Sequence, residues 1–334
     1  MKKVRIYGTL GPACADGDIL WQMLREGMDG IRLNLSHTTL AEASDLIDIY
    51  HRAAAACGVS PELLIDMQGP EMRIGALPDP ICLASGDFIL MEEIPFPETV
   101  QTALKTLPDQ QEILLDDGKI LLKKADSFTD ASGKLQVIRG GRLESRKSVF
   151  LPGLKIRPLA LTDQDRDQLS QAKKFGVTAV MQPFVRDKND LLELRQALDR
   201  SGCGDLRLLA KIENREGMEQ LSELIPYCDE IVIARGDLGN SMMLWELPAA
   251  QKQIARTCRE AGRDFMVVTQ MLDSMTHSPV PTRAELSDVF NAVLDGAASV
   301  MATGETATGE YPVSVIKYLC KTVRQAEQYL CQRN

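Results

Sequence analysis

The sequence is short of the residues that several common kinds of active site require. Its 334 residues include three histidines, His37, His51 and His277, too few for a site built from several imidazoles such as a three-histidine zinc centre. The eight cysteines are scattered without a C-x-x-C pair, which predicts free thiols in a reducing cytoplasm. A G-x-x-x-x-G-K-[ST] motif is also missing, which excludes a P-loop nucleotide site.

Long apolar runs and an excess of positive charge are absent as well. No stretch reaches the roughly 18 apolar residues of a membrane span, and no signal-peptide pattern follows the N-terminus. The net charge of −9 disfavours nucleic acid and anionic membranes as partners. An acidic protein that handles anionic substrates must concentrate its cations locally, so arginines and lysines in a cleft are the informative residues.

Short apolar runs alternate with segments of helical period along most of the chain. This alternation predicts parallel strands, and eight such units predict an α/β fold with a closed (β/α)₈ TIM barrel. Thr162 is the predicted N-cap of one helix, and Gly176 is the predicted stop of the same helix. The main helical segments are Gly17–Glu26, Leu40–Ala56, Asp163–Phe175 and Leu191–Leu198. The eight predicted strands are Val4–Tyr7, Ile31–Leu35, Leu63–Met67, Thr178–Gln182, Leu206–Ile212, Ile231–Ala234, Phe265–Thr269 and Ser299–Ala302.

After the third predicted strand the pattern changes to short strands separated by turn signals such as Asp116-Asp117-Gly118 and Ser132-Gly133. We therefore predict that residues 74–157 form a small inserted β-barrel domain, while residues 1–73 and 158–334 form the catalytic barrel. The insertion leaves from the C-terminal end of a barrel strand, the functional face of such barrels, so we expect it to act as a lid. Its predicted strands are Ile81–Leu83, Phe88–Met91, Ile113–Leu115, Ile120–Lys123 and Leu135–Ile138.

Unusual polar residues follow the apolar part of most predicted barrel strands. These positions share one mouth in a TIM barrel, so their accumulation predicts an active site. Glu213 and Asp237 come from neighbouring strands and offer carboxylate oxygens to one hard cation such as Mg²⁺, with a salt-bridge network to Lys211 and Arg235 as the alternative. Arg32, Arg73 and Lys211 supply the positive charge that phosphoryl transfer requires. The polar residues at strand ends are Arg32, Asn34, Ser36, His37, Asp66, Arg73, Lys211, Glu213, Asp237, Thr269 and Glu305.

At these positions the sequence resembles the pyruvate kinase family. The shared motifs keep the family's order from end to end of the chain and are together highly specific. They are Gly8–Ala13, Arg32–His37, Asp66–Arg73, Lys211–Asn214, Ala234–Gly239, Thr269–Met275, Pro281–Glu285 and Gly304–Ala307. The resemblance implies a (β/α)₈ barrel with a β lid. It also implies phosphoryl transfer from phosphoenolpyruvate to ADP, which gives pyruvate and ATP through a Mg-stabilised enolate.

The resemblance further implies a role for each residue that matches a family motif. The implied ligands of Mg²⁺ or Mn²⁺ are Glu213 and Asp237, and the implied K⁺ ligands are Asn34, Ser36, Asp66 and the carbonyl of Met67. The implied catalytic residues are Lys211, Arg32, Arg73 and Thr269, of which Thr269 lies where the enolate is protonated. The implied substrate contacts are Gly236, Asp237, Thr269 and Lys211. The implied nucleotide contacts are Thr9, Pro12, Arg32, His37, Arg73 and Lys147.

Several departures from the family pattern bear on these roles. The sequence ends after the helix that follows strand eight, so we expect the C-terminal effector domain of typical pyruvate kinases to be absent. That expectation puts effector control of this kind and the usual tetramer in question, and leaves a homo-oligomer open. Glu71 is typical of K⁺-dependent members, whereas Met67, Gln68 and Ile74 are typical of K⁺-independent ones. Asn240–Met243 replaces a usual family segment beside the metal and interface region.

Three functions stay open on the sequence alone. The first is a pyruvate kinase without the regulatory domain. The second keeps the enolate machinery for a Mg-dependent lyase or aldolase, or for a phosphotransferase acting on the enol of another 2-oxo acid. The departures at Asn240–Met243 and Phe150 favour this second reading, whereas the lid and Lys147 favour a nucleotide. The third is a non-catalytic barrel that binds a partner, although many charges buried in one mouth are unfavourable unless a ligand compensates them.

Overall fold

A closed barrel of parallel strands forms the larger of the two compact units into which the chain divides. The first unit contains Met1–Gly69 and Ala160–Asn334, and the second contains Pro70–Leu159. The structure is a computed structural model that describes residues 3–69, 72–116, 118–125, 133–152 and 159–332.

The barrel strands appear where the sequence predicts them. They are β1 (Arg5–Thr9), β2 (Gly30–Asn34), β3 (Glu62–Asp66), β11 (Ala179–Gln182), β12 (Arg207–Ile212), β13 (Glu230–Ala234), β14 (Asp264–Val268) and β15 (Ser299–Met301). Each predicted run overlaps one of these strands, and the bounds differ by at most two residues. The strands follow one another around the barrel in the order β1, β15, β14, β13, β12, β11, β3 and β2, and β2 pairs with β1. The predicted (β/α)₈ barrel is therefore confirmed.

Helices surround this barrel and connect successive strands. They are α1 (Gly17–Glu26), α2 (Ser44–Cys57), α4 (Asp163–Gln171), α5 (Lys188–Arg200), α6 (Arg215–Glu219), α7 (Leu221–Leu224), α8 (Arg235–Asn240), α9 (Leu247–Glu260), α10 (Arg283–Leu294), α11 (Gly304–Ala307) and α12 (Pro312–Cys331). Short 3₁₀ turns occur at Pro12–Cys14, Ile225–Tyr227, Leu244–Glu246 and Asp273–Thr276. No helix of the described residues combines the length and the apolar character that crossing a membrane requires.

The barrel strands are buried on both faces, which explains why their sequences are continuous apolar runs rather than alternating ones. Residues such as Leu64, Met181 and Met266 fill the interior of the barrel, and residues such as Ile65 and Ile233 pack outward in the layer shared with the helices. This rigid two-layer core fixes the strand ends, on which the polar residues of the mouth are carried.

The ends of helix α4 show where a cap prediction holds and where it does not. Thr162 is the N-cap, because its hydroxyl accepts the Asp165 N–H at 3.0 Å while the Asp165 carboxylate accepts the Thr162 N–H at 2.8 Å. The helix ends at Gln171, however, and not at the predicted Phe175. Gly176, with φ of 70°, closes the non-helical turns that follow, so its left-handed conformation serves a later turn than the one predicted.

The second unit is antiparallel and has an apolar core of its own. The described strands of this unit are β4 (Ile81–Leu83), β5 (Phe88–Leu90), β6 (Glu112–Leu115), β7 (Ile120–Lys124), β8 (Lys134–Arg139), β9 (Gly141–Leu143) and β10 (Val149–Phe150). Five of them form a sheet in the order β10, β6, β7, β8, β5, and β4 pairs with β9. Helix α3 (Glu98–Thr106) and a 3₁₀ turn (Met91–Glu93) complete it. Among the features singled out in the sequence, Glu71, Asp117, Ser132 and the predicted boundary at residues 157–158 lie outside the described residues.

Candidate active site

The mouth of the barrel holds four charged side chains in direct contact, here called the mouth cluster: Arg32, Asp66, Lys211 and Glu213. Arg32 lies on β2, Asp66 ends β3, Lys211 lies on β12, and Glu213 is the first residue after β12. The Lys211 ammonium lies 3.0 Å from Asp66 Oδ2 and 2.8 Å from Glu213 Oε1. The two carboxylates are almost fully buried, with 2% of the Asp66 side chain and 1% of the Glu213 side chain exposed.

Every cation that contacts Asp66 uses the same carboxylate oxygen. Arg32 places Nε 2.8 Å and Nη2 2.6 Å from Oδ2, the oxygen that Lys211 also contacts. The other oxygen, Oδ1, is buried and has no hydrogen-bond partner among the residues that the structure describes. A buried acceptor without a partner is unfavourable, so Asp66 Oδ1 suits contact with a bound cation.

The mouth cluster fixes the charge states of its members. Burial by itself lowers the pKa of Lys211, but the Asp66 and Glu213 carboxylates outweigh burial and raise that pKa above its ordinary value. Burial by itself raises the pKa of Asp66, but Lys211 and Arg32 outweigh it and hold that pKa below its ordinary value. Both groups are therefore charged at neutral pH, and the Lys211 charge is already in position before a substrate binds.

The two carboxylates predicted to bind a divalent ion follow adjacent strands. Glu213 follows β12, Asp237 lies in the first turn of α8 directly after β13, and β12 pairs with β13. Glu213 Oε2 accepts the backbone N–H of Phe184 at 2.8 Å, which fixes the carboxylate but leaves lone pairs on both oxygens. Within the described residues, no group of three or more His, Cys, Asp and Glu side chains could hold a metal. A donor set of one or two carboxylates completed by substrate oxygens is typical of Mg²⁺.

Thr269 follows β14 in an unusual backbone conformation. Its φ is 75°, and that of Gln270 is 54°, in the left-handed region that β-branched residues rarely adopt. The turn that carries Asp237 packs against this residue, because a Cβ added to Gly236 would lie 3.2 Å from Thr269 Cγ2. Arg235, the first residue of α8, donates to the carbonyl oxygens of both Thr269 and Gln270. The structure therefore places the predicted cradle at Gly236 directly beside Thr269.

Known proteins are similar to this chain over nearly all of its length. A family model described as "Pyruvate kinase, barrel domain" matches residues 1–316. The chain belongs to the pyruvate kinase family. Pyruvate kinase of Geobacillus stearothermophilus is 35% identical over 100% of this chain and 58% of its own length. Those of Staphylococcus saprophyticus and Clostridium perfringens are 34% and 33% identical over 98% and 99% of this chain, and over 57% and 71% of their own lengths. The chain thus spans about 58% of the length of the Geobacillus relative.

The residues that the pyruvate kinase resemblance assigns to K⁺ lie on β2, β3 and the turns after them. Asn34 pairs with Asp66 in the register of these two strands. The Asn34 amide oxygen accepts the Ser36 N–H at 3.2 Å, so it also holds the turn after β2. Met67 donates its backbone N–H to the Met181 carbonyl at 3.2 Å, and its side chain is buried in the outer core layer. These contacts hold the polar atoms of both strand ends in place.

The residues assigned to the nucleotide divide between the two units. In the barrel, Pro12 and His37 are exposed, whereas Thr9 is buried and its hydroxyl donates to the Ala302 carbonyl at 3.0 Å. Thr9 thus ties the end of β1 to the residue after β15.

In the second unit, Arg73 forms a bridge with Ser148, next to Lys147, and donates to the Arg146 carbonyl at 2.9 Å. Lys147 Nζ lies 2.9 Å from Asp116 Oδ1, and this contact helps to hold the pKa of Asp116 below its ordinary value against the opposing effect of burial.

Glu305 and Glu285 lie within the shared motifs, but the sequence assigned neither of them a specific role. Glu305 is 1% exposed and accepts the backbone N–H groups of Leu272 and Thr303, so it anchors loops. Glu285 caps α10 and also accepts the Ser274 N–H and hydroxyl at 2.7 and 2.6 Å. The spacing of Thr282 and Glu285 is that of a capping box and could have predicted the cap, but its second role at Ser274 has no local signal.

Proposed function

We propose that this chain catalyses phosphoryl transfer between phosphoenolpyruvate and ADP, giving pyruvate and ATP. One observation carries the proposal: Lys211 lies within 3.0 Å of both Asp66 and Glu213, in a cluster completed by Arg32. The cluster places two fixed cations beside a carboxylate suited to a divalent ion. Phosphoryl transfer depends mainly on positioning and electrostatic stabilisation, which are what such a cluster supplies. The family relationship supports the same reaction.

The residues present fit the metal ions that the family implies. Glu213 and Asp237 would hold Mg²⁺ or Mn²⁺, since both are oxygen donors on adjacent strand ends. The unpartnered Asp66 Oδ1 fits a monovalent cation such as K⁺, together with Asn34, Ser36 and the Met67 carbonyl. When bound, the divalent ion supplies Lewis acidity toward the substrate oxygens.

The protein's own groups then divide the work of the reaction. The bond between phosphorus and the enol oxygen breaks, and a bond forms between phosphorus and a terminal oxygen of ADP. Arg32 and Lys211 stabilise the charge on the phosphoryl oxygens as it migrates. The enolate left behind takes a proton at its terminal carbon. We assign the donation of this proton to the Thr269 hydroxyl. Gly236 and Asp237 orient the carboxylate of the substrate.

The second unit is proposed to act as a lid that carries nucleotide contacts. It starts at Pro70, four residues after the end of β3, and the C-terminal ends of barrel strands are where active sites form. Arg73 and Lys147 are the residues of this unit that would contact the phosphates of the nucleotide. Closure of a lid excludes water from a transferring phosphoryl group, which otherwise reacts with it.

A coupled assay for pyruvate release with phosphoenolpyruvate, ADP and Mg²⁺, in K⁺ and in Na⁺ buffers, tests the proposal. We expect saturable turnover on the order of 1–100 per second that chelation of the divalent ion abolishes. Glu213→Gln should lower kcat by about 100-fold and raise the Mg²⁺ requirement, because the metal loses a charged ligand. Glu219→Gln, on the exposed surface of α6, is the matched control and should leave both unchanged.

Folded protein that releases no pyruvate in either buffer would sink the kinase proposal. Exchange of the pyruvate methyl protons with D₂O in such a protein would instead favour a reaction on another 2-oxo acid enol. Lack of both activities, with unaltered melting on Lys211→Met, would favour a non-catalytic barrel.

A further inference from the structure

The backbone after β14 is held in an unfavourable conformation by one arginine side chain. Thr269 and Gln270 have φ values of 75° and 54° in succession. Arg235 Nε and Nη2 lie 3.0 and 2.7 Å from the Thr269 carbonyl oxygen, and Nη2 also lies 3.0 Å from the Gln270 carbonyl oxygen. Unfavourable backbone angles persist only where surrounding groups fix them, and this guanidinium fixes both residues.

The arginine is itself oriented by a carboxylate from another helix. Arg235 Nη1 lies 2.6 Å from Asp288 Oδ2 on α10, and 11% of the Arg235 side chain is exposed. The planar fork of an arginine can bind two carbonyl oxygens and a carboxylate at the same time, which the single ammonium of a lysine cannot do with the same geometry. Arg235 and Asp288 therefore form a clamp on the carbonyl side of the strained turn.

The clamp connects two parts of the mouth that the proposed reaction uses together. Arg235 directly precedes Gly236 and Asp237, which we assign to the substrate carboxylate and the divalent ion. Its side chain holds Thr269, which we assign to the proton transfer, and the Gly236 backbone lies so close to Thr269 that an added Cβ would be 3.2 Å from the Thr269 methyl group. A single residue thus sets the position of the Thr269 hydroxyl relative to the turn that orients the substrate.

We propose that Arg235, oriented by Asp288, is a positioning residue that holds the Thr269 hydroxyl for protonation of the enolate. The inference rests on the proposed function and deepens it. The O–H bond of Thr269 breaks, a C–H bond forms at the terminal carbon of the enolate, and the threonine oxygen regains a proton from water. Because Arg235 contacts Thr269 and not the mouth cluster, loss of the clamp should impair this proton transfer more than phosphoryl transfer.

The test compares Arg235→Lys and Asp288→Asn with wild-type protein in three measurements. They are exchange of pyruvate methyl protons with D₂O in the presence of Mg²⁺ and ATP, the solvent deuterium isotope effect on kcat, and binding of oxalate with Mg²⁺. Arg195→Lys is the matched control. Arg195 on α5 likewise donates to two backbone carbonyls, those of Gly204 and Leu206, and pairs with Asp229, but these contacts are to the loop before β12, at the opposite end of the strands.

We expect Arg235→Lys to slow proton exchange about 10- to 100-fold, since a small misplacement of a reacting group has effects of this size. The solvent isotope effect should rise as protonation becomes rate-limiting, while the Kd of oxalate changes less than about threefold. Asp288→Asn should slow exchange less, by about three- to tenfold, and Arg195→Lys should change none of the three measurements. Guanidinium ion added to Arg235→Ala should partly restore exchange, a response that general destabilisation does not give.

Two results would overturn the inference while leaving the proposed function intact. One is a wild-type enzyme that turns over while Arg235→Lys slows exchange without raising the solvent isotope effect and weakens oxalate binding by a similar factor. The other is unchanged exchange in a folded Arg235→Ala variant. A wild-type protein with neither turnover nor exchange would overturn the proposed function, and the inference with it.

Discussion

The two ends of the barrel carry similar charged clusters, but the carboxylate oxygens are hydrogen-bonded more fully at one end than at the other. The bottom cluster consists of Arg5, Glu62, Arg207 and Glu230, the first residues of β1, β3, β12 and β13. Arg207 lies 2.7 Å from Glu62 Oε2 and 2.5 Å from Glu230 Oε2, and Arg5 contacts the same two glutamates at 3.2 and 2.8 Å. Like the mouth cluster, it pairs two cations with two carboxylates, so formal charge does not distinguish the two ends.

What differs is how far the protein itself satisfies the carboxylate oxygens, because among the described residues the buried atom without a partner is Asp66 Oδ1 at the mouth but a guanidinium nitrogen, Arg5 Nε, at the bottom. All four carboxylate oxygens of the bottom cluster have partners, since Tyr7 donates to Glu62 Oε2, Ser299 donates to Glu230 Oε1, and the two arginines contact the other two oxygens. In the mouth cluster Asp66 Oδ1 has none. In the described part of the first unit, the non-glycine residues with positive φ also lie at the mouth, at Phe184, Thr269 and Gln270. The contacts of the bottom cluster fit a structural role, and the unsatisfied carboxylate and the strained backbone support the proposed ligand site at the mouth.

Replacing Lys211 with methionine should separate the two ends most sharply. The substitution removes a cation from the proposed reacting centre and should lower kcat by about 10²- to 10³-fold, the usual effect of losing one preorganised stabilising group. It also removes positive charge that balances the buried carboxylates of Asp66 and Glu213. Thermal melting must therefore show that the variant is folded. A folded variant with kcat within threefold of wild type would contradict the role of the mouth cluster.

Replacing Arg207 with methionine should lower stability and leave activity nearly unchanged. Glu62 and Glu230 then lose a shared partner, and Glu230 is fully buried, so we expect a loss of about 3–5 kcal/mol of unfolding free energy. Activity per folded molecule should stay within about twofold at a temperature well below melting. Denaturant unfolding together with kcat measures both effects, and a large drop in kcat without loss of stability would show that the bottom cluster is not merely structural.

Replacing Gly236 with alanine should show how closely the mouth is packed. The new methyl group would lie 3.2 Å from Thr269 Cγ2, closer than ordinary van der Waals contact, so one of the two residues must shift. We expect about a tenfold loss of kcat with little change in melting temperature. Gly202→Ala is unsuitable as a control because Gly202 has a positive φ. Gly17→Ala is suitable, since its new methyl group would lie 3.7 Å from the nearest atom, an ordinary contact, and should leave kcat unchanged.

Much of the fold was predictable because its signals are local. Each barrel strand is an apolar run such as Ile231–Ala234, and caps such as Thr162 have the expected residue and spacing. The candidate site followed from the same logic, since Lys211 and Glu213 fall at a strand end. The resemblance to a family then attached roles to these positions.

The remaining features depend on contacts between distant segments, which a single sequence does not reveal. Arg235 pairs with Asp288, 53 positions away. The salt-bridge alternative predicted from the sequence had instead paired it with the carboxylates of Glu213 and Asp237. No local pattern indicates that Thr269 and Gln270 adopt positive φ, because neither is glycine. The predicted end of α4 was wrong because Gly176 ends the turns that follow the helix. A glycine alone does not show whether it ends the helix or a later turn.

The smallest effect, and the one that depends on pH, should come from Glu285→Gln. Burial opposes ionisation of Glu285, but hydrogen bonds from Ser274 and Thr282 outweigh it and hold its pKa below the ordinary value. Since the pKa is lower in the folded state, the stabilisation is complete above the unfolded pKa of about 4.3 and is lost as the pH falls through the folded value. The variant should therefore lose about 1 kcal/mol of unfolding free energy at pH 7, and this difference should vanish toward pH 3.

Chemical unfolding across this pH range measures the difference, with Glu93→Gln in the second unit as a control for loss of one carboxylate acceptor. A difference that persists at low pH would show that the glutamate acts through packing and not through its charge.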